Sequence, residues 1–134
     1  MAVACGIANG IGCGDNAKAA LITLGIQEMS RLGMAMGCKE RTFSGLSGIG
    51  DLIVTATSMH SRNYQCGILL GKGVPINEAL KQVGMVVEGI NTLPAAILLA
   101  QKYQVKMPIV ETVNAVVSET IDESEIIRLL MPVD

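Results

Sequence analysis

The tripeptide Ser61-Arg62-Asn63 is the part of this 134-residue sequence whose side chains are best suited to hold an anion. Serine is a preferred helix N-cap, and the apolar spacing after it predicts a helix over 62–70. A helix start offers backbone N–H groups and the positive end of the helix dipole, and a guanidinium can bind two phosphate oxygens at once. The tripeptide alone still favours the simpler interpretation, a capped helix with a solvated arginine.

Two carboxylates stand in settings where they could bind hydroxyl groups. Asp51 follows the glycine-rich turn 48–50 and could accept hydrogen bonds from a substrate or orient a catalytic group, although N-capping is the simpler role. Glu88 lies in an apolar stretch and could bind a ribose hydroxyl, but the pattern favours a surface turn. His60 is interpreted as a loop residue.

The glycine-rich run at residues 10–14 superficially suggests a dinucleotide-binding loop. The third glycine of the G-x-G-x-x-G pattern would fall at Asp15, and no strand-like segment precedes the run. We therefore interpret these glycines as residues that allow tight packing between helices. Lys18 follows in the first turn of a predicted helix, where a solvated side chain is favoured over contact with an anion.

The remaining sequence pattern predicts an all-α fold, a compact bundle of six to seven helices in a single domain covering residues 1–134. Three- and four-residue apolar spacing and capping residues indicate helices over 17–36, 41–46, 62–70 and 77–83, with further helices starting at Thr92, Met107 and Asp122. The first of these would be capped by Asp15 or Asn16 and closed by Gly37. The segment 52–57 is rich in β-branched residues and could form a strand, but a helix is narrowly favoured because no partner strand is nearby. The turns between the helices are short, and no β-α-β alternation is present.

Composition excludes several functional classes. The net charge is −2 without a basic patch, which argues against nucleic-acid binding, and the longest uncharged stretch, residues 1–14, is too short to span a membrane. Half of the residues are apolar and the mean hydropathy is +0.47, so we expect some apolar surface to face another chain or a further domain. Without a secretory signal, the expected compartment is the cytoplasm. The four cysteines lack metal-ligand spacing and are expected to be reduced, mostly buried thiols, with no metal site.

Three stretches, read together and in this order, resemble the C-terminal domain of bacterial NAD(P)-dependent glycerol-3-phosphate dehydrogenases: ACGIANGIGCGDNAKAALITLGIQEMSRLG, GLSGIGDLIVTATSMHSRN and VVEGINT. The resemblance implies an all-α fold like the C-terminal domain of 6-phosphogluconate dehydrogenase, and hydride transfer between NAD or NADP and the glycerol 3-phosphate/dihydroxyacetone phosphate pair. It assigns glycerol 3-phosphate binding to Asp51, Thr55, Ser61, Arg62 and Asn63. It assigns cofactor binding to Arg62, Val86 and Glu88.

The resemblance also implies what these 134 residues do not contain. In this family the catalytic lysine belongs to a Leu-Lys-Asn step before the ACGI segment, and the cofactor is held mainly by an N-terminal Rossmann domain. We therefore expect a homodimeric substrate-binding domain that acts in glycerophospholipid synthesis but is inactive alone. The alternatives are a stand-alone helical interaction or regulatory module and a domain of another hydroxy-acid or sugar-acid dehydrogenase. The Ser-Arg-Asn motif and its distance from Asp51 in the sequence argue against a domain of another hydroxy-acid or sugar-acid dehydrogenase.

Overall fold

The computed structural model describes residues 2–37, 61–84 and 86–121, together with Glu125, Ile126 and Arg128. The regular secondary structure of this part of the chain is entirely helical, as the sequence predicted. Its helices are α1 (Ala2–Ile11), α2 (Asp15–Ala35), α3 (Arg62–Gly71), α4 (Ile76–Val83), α5 (Glu88–Asn91), α6 (Leu93–Lys102) and α7 (Pro108–Val117). The helices predicted over 41–46 and 52–57, and most of the one predicted after Asp122, lie outside the described residues.

The structure confirms two of the helix ends predicted from the sequence and corrects a third. Ser61 is the N-cap of α3 as predicted, and its Oγ accepts a hydrogen bond from the Tyr64 N–H at 3.3 Å. Gly37, at φ 94°, follows the end of α2 as predicted. The predicted cap of α2 is wrong, because Gly14 occupies the N-cap and Asp15 is already the first helical residue. Helices α1 and α5 were not assigned from the sequence.

Four glycines bring α1 and α3 into backbone contact. They are spaced four residues apart on each helix, and we call them the glycine seam: Gly6 and Gly10 on α1, Gly67 and Gly71 on α3. A Cβ on Gly6 would collide with the Tyr64 carbonyl oxygen, and one on Gly67 would collide with the Val3 carbonyl oxygen. Gly10, the last seam glycine of α1, therefore has the predicted packing role. Gly12 instead lies in the turn after α1, at φ 104°.

The order of contacts along the seam shows that α1 and α3 run in the same direction. Gly6 lies against Gly67, and four residues later Gly10 lies against Gly71. Parallel helices begin at the same end of their contact, so the first turns of α1 and α3 are neighbours. The first turn of α3, which follows the N-cap Ser61, therefore presents the positive end of its dipole to this side of the molecule.

The core surrounds the seam. Its largest fully buried side chains are Cys5, Ile7, Leu21, Tyr64, Cys66 and Val87. Cys5, Cys13 and Cys66 are free thiols, as predicted, and burial raises the pKa of Cys5 and Cys66. Among the described residues, no helix is long and apolar enough to cross a membrane.

Candidate functional site

The first turns of three helices meet at one point. A Cβ built on Gly89 of α5 would lie 2.9 Å from Oδ1 of Asn63 on α3 and 3.1 Å from Cγ2 of Val3 on α1. Since the glycine seam sets α1 and α3 side by side, and α5 packs across both, the starts of the three helices form one surface. This surface contains the tripeptide that the sequence singled out for anion binding.

Two hydrogen bonds fasten α3 to the segment that leads into α5. The Arg62 guanidinium donates from Nη1 to the Val86 carbonyl oxygen at 3.4 Å, and the Gly89 N–H donates to Asn63 Oδ1 at 2.8 Å. The first contact is long and lies at the exposed surface, whereas the second is short and partly buried. Together they bring Arg62 and Asn63, the predicted substrate ligands, to the segment that carries the predicted cofactor ligands.

The predicted cofactor residues are accessible. The Val86 side chain is 56% exposed, and Glu88 is exposed as the first residue of α5. The sequence favoured a surface turn at Glu88, whereas the structure places it at the start of a short helix. Asp51 and Thr55, the other predicted substrate ligands, lie outside the described residues, as does His60.

A cleft of about 290 Å³ opens beside the three helix starts. Ala2 and Val3 of α1, Asn63 of α3 and Gly89 of α5 line one side of it, and α2, α6 and α7 supply the other walls. Most of the lining is apolar, so the amide of Asn63 is one of few polar groups exposed to it. Arg62 is not among the described lining residues, although it directly precedes Asn63.

Glu28 is a polar residue of this cleft that the sequence analysis missed. It is only 3% exposed, and its carboxylate accepts hydrogen bonds from the first backbone N–H groups of α7, from Ile109 at 2.7 Å and from Val110 at 3.2 Å. Those N–H groups have no partner within their own helix, so Glu28 on α2 acts as a cap supplied by another helix. Its position seven residues after Leu21, on the same buried face, was the signal that could have revealed it.

Burial dominates the electrostatics of Glu28. Desolvation raises the pKa of its carboxyl above the ordinary value of 4.5, although the two backbone hydrogen bonds and Arg31 act in the opposite direction. The three- and four-residue apolar spacing that predicts the helix over 17–36 includes Leu21, Met29 and Met36, but of these three Leu21 is buried, whereas Met29 and Met36 are 39% and 46% exposed. The buried positions that continue the face are Gly25, Glu28 and Gly33.

Lys18 is not the solvated side chain that the sequence favoured. Its Nζ lies 3.4 Å from Asn9 Oδ1 and 3.4 Å from Asp15 Oδ1, and its side chain is 19% exposed. Partial burial lowers the pKa of Lys18, but the neighbouring Tyr64 and Asp15 outweigh this and raise it overall. Lys18 therefore joins the first turn of α2 to the last turn of α1.

In the described ranges, no three His, Cys, Asp or Glu side chains converge as metal ligands would.

Comparisons with known proteins agree with this architecture. Residues 1–128 match the family model described as NAD-dependent glycerol-3-phosphate dehydrogenase C-terminus. A glycerol-3-phosphate dehydrogenase [NAD(P)+] from Fusobacterium nucleatum is 56% identical over 131 residues, and a second one, from Lactobacillus delbrueckii subsp. bulgaricus, is 57% identical over the same length. Each alignment covers 98% of this chain and 39% of the relative.

A solved structure gives the same result at the level of the fold. The crystal structure of a glycerol-3-phosphate dehydrogenase from Coxiella burnetii matches with a TM-score of 0.92 at 39% identity, over 98% of this chain and 41% of that one. The chain thus spans about two fifths of the length of the proteins it matches. Because the family model covers residues 1–128, the chain belongs to the family of NAD-dependent glycerol-3-phosphate dehydrogenase C-termini.

Proposed function

We propose that this chain is the substrate-binding domain of an NAD(P)-dependent glycerol-3-phosphate dehydrogenase, which interconverts glycerol 3-phosphate and dihydroxyacetone phosphate. The observation that carries the proposal is that Arg62 and Asn63 lie together in the first turn of α3, at the positive end of its dipole. A guanidinium, an amide and backbone N–H groups all donate hydrogen bonds, and a phosphate group accepts them. Asp51, Thr55 and Ser61 complete the proposed set of substrate ligands.

The residues near Arg62 suit a nicotinamide dinucleotide as the second ligand. Glu88 carries an exposed carboxylate, which can accept hydrogen bonds from ribose hydroxyls, and Val86 offers exposed apolar surface. Bound NAD or NADP supplies the hydride acceptor or donor. The contribution of this chain is to orient the substrate through Arg62 and Asn63 and to cover one side of the cofactor.

We expect these 134 residues alone to show no turnover with NADH or NADPH. The resemblance to the family assigns the catalytic lysine to a Leu-Lys-Asn step and the main cofactor site to a G-x-G-x-x-G loop. These 134 residues contain neither motif. An absorbance assay at 340 nm with dihydroxyacetone phosphate tests this expectation. Oxidation of NADH by the purified chain would contradict it.

Calorimetric titration with glycerol 3-phosphate tests the substrate-binding proposal. We expect binding that neither glycerol nor inorganic phosphate reproduces, and at least a tenfold loss of affinity in Arg62→Gln, because a charged hydrogen bond to the phosphate would be removed. Arg31→Gln is the matched control, since Arg31 is also exposed and also donates to a backbone carbonyl, that of Lys106 at 3.3 Å. Equal losses in both variants, or no binding by the unaltered chain, would refute the proposal.

We further propose that the domain forms a homodimer and acts in the cytoplasm in glycerophospholipid synthesis. Large apolar side chains are exposed along α2, with Met34 at 52% and Met36 at 46%, and such surface is commonly covered by a second chain. Sedimentation at micromolar concentrations is expected to detect dimers. A monomer at every concentration would refute the self-association.

A further inference from the structure

The hydrogen bond between Gly89 and Asn63 fixes which way the Asn63 amide faces. A backbone N–H can only donate, so its partner 2.8 Å away must be the amide oxygen, Oδ1. Rotating the amide by half a turn would place two donors against each other. The amide oxygen of Asn63 is therefore turned toward Gly89, and the amide nitrogen, with its two N–H donors, lies on the other branch of the amide, where it can be offered to a ligand.

This arrangement requires a residue without a side chain at position 89. A Cβ there would lie 2.9 Å from Asn63 Oδ1, 3.2 Å from Asn63 Cγ and 3.1 Å from Val3 Cγ2. Asn63 Oδ1 is the nearest of these atoms, and Val3 is a core residue that is only 4% exposed. The Asn63 side chain would have to give way, and its hydrogen bond to Gly89 would lengthen or break.

We propose that Gly89 is a positioning residue, which holds the Asn63 amide with its nitrogen turned toward the cleft. The role of that nitrogen as a donor to glycerol 3-phosphate rests on the function proposed above. Arg62, fastened to the same segment through the Val86 carbonyl, also only donates. The two side chains thus present donors alone, which suits oxygen atoms that accept hydrogen bonds.

The positioning role can be measured without a ligand, by nuclear magnetic resonance on the 134-residue chain. Asn63→Asp keeps an oxygen for the Gly89 N–H but removes the amide donors, whereas Asn63→Ala removes both. We expect the exchange of the Gly89 amide proton to stay slow in Asn63→Asp and to become about five- to tenfold faster in Asn63→Ala. Equal exchange rates in the unaltered chain and in Asn63→Ala would overturn the proposal.

Gly89→Ala tests the steric half of the proposal. We expect the side-chain amide signals of Asn63 to shift and the Gly89→Ala chain to lose about tenfold in affinity for glycerol 3-phosphate, with its helical circular dichroism retained. Gly14→Ala is the matched control, because a Cβ at Gly14 would meet nothing within 4 Å. Asn63 signals that are the same in Gly89→Ala and in the unaltered chain would overturn the positioning role.

The affinity measurements with glycerol 3-phosphate distinguish a failure of this proposal from a failure of the proposed function. Slow exchange at Gly89, together with shifted Asn63 signals in Gly89→Ala, supports the positioning role even if the unaltered chain fails to bind glycerol 3-phosphate. In that case only the proposed function fails. If the unaltered chain does bind, Asn63→Asp should lose at least tenfold in affinity while its Gly89 proton remains protected, a combination that general unfolding would not produce.

Discussion

Helices α1 and α3 meet through bare backbone at four glycines, whereas the contact of α2 with α7 includes a buried carboxylate, that of Glu28. In the glycine seam the contact depends on atoms that are missing, because each added Cβ would collide with a carbonyl oxygen of the other helix. In the contact made by Glu28 it depends on atoms that are present, because two N–H groups of α7 bond to its oxygens. The seam is thus vulnerable to larger residues and the Glu28 contact to smaller ones.

The comparison also separates two tasks of the framework around the cleft. The glycine seam sets the distance and direction of α1 and α3, and so it determines that Val3 and Asn63 are neighbours. Glu28 fixes α7, which forms part of the opposite wall. One contact therefore places the candidate ligands, and the other shapes the space in front of them.

Enlarging a seam glycine should produce the largest loss of stability. In Gly67→Ala the new Cβ would meet the Val3 carbonyl oxygen and lie 2.9 Å from the Gly6 Cα, so one helix backbone must move. We expect the free energy of unfolding to fall by about 3 kcal/mol, at the upper end of the usual cost of overpacking. Urea unfolding followed by circular dichroism measures this loss.

Gly14→Ala supplies the control for Gly67→Ala as well. Gly14 is the N-cap of α2 and has open space around it, so alanine there should lower the free energy of unfolding by no more than about 1 kcal/mol. If the two variants unfolded at the same urea concentration, the close approach of α1 and α3 would not be a source of stability.

Shortening Glu28 should produce the second largest loss. In Glu28→Ala the N–H groups of Ile109 and Val110 lose their acceptor inside the protein, and we expect a cost of about 2–3 kcal/mol in urea unfolding. Glu111→Gln is the control, because Glu111 lies in the first turn of the same helix but is exposed. A cost no greater than that of Glu111→Gln would show that Glu28 does not cap α7.

The ionisation of Glu28 should make a smaller, pH-dependent contribution. Its pKa is raised on folding, so the folded chain binds the proton more tightly than the unfolded chain does. This contribution to stability is fully present below the ordinary pKa of 4.5 and is lost as the pH rises through the higher folded value. Relative to Glu28→Gln, the unaltered chain should therefore gain stability as the pH is lowered from 7 toward 4.5.

Thermal unfolding of both chains across this pH range measures the effect. Other carboxyl groups titrate in both chains, so the difference between the two curves isolates Glu28. A difference that is constant with pH, or that shrinks on acidification, would contradict the raised pKa.

The sequence predicted the parts of this fold that depend on local chemistry. Ser61 could be recognised as a cap because a hydroxyl, an apolar helical pattern and the first turn are adjacent in the chain. Glu28 and Gly89 could not be recognised in the same way, because their partners lie 81 and 26 residues away. Helix α1 was missed because its apolar and glycine residues are buried on nearly all sides, which erases the periodicity that marks a helix with one exposed face.

The same reasoning explains the error at Lys18. A cation near a helix start suggests a solvated side chain when only the helix dipole is considered. Asn9 and Tyr64, however, lie 9 and 46 positions away in sequence, and only the packing of α1 against α2 and α3 brings them to the amine. Partners from other helices therefore decide the surroundings of Lys18, Glu28 and Asn63 alike.

Removing the Ser61 hydroxyl should have the smallest effect of the four changes, because Ser61 caps α3 but does not hold α3 against α1. The hydrogen bond from the Tyr64 N–H to Ser61 Oγ is long, at 3.3 Å, so Ser61→Ala should lower the free energy of unfolding by only about 0.5–1 kcal/mol. Ser118→Ala, at the exposed C-cap of α7, is the control. A loss as large as that of Gly67→Ala would mean that the first turn of α3, and not the glycine seam, holds these two helices together.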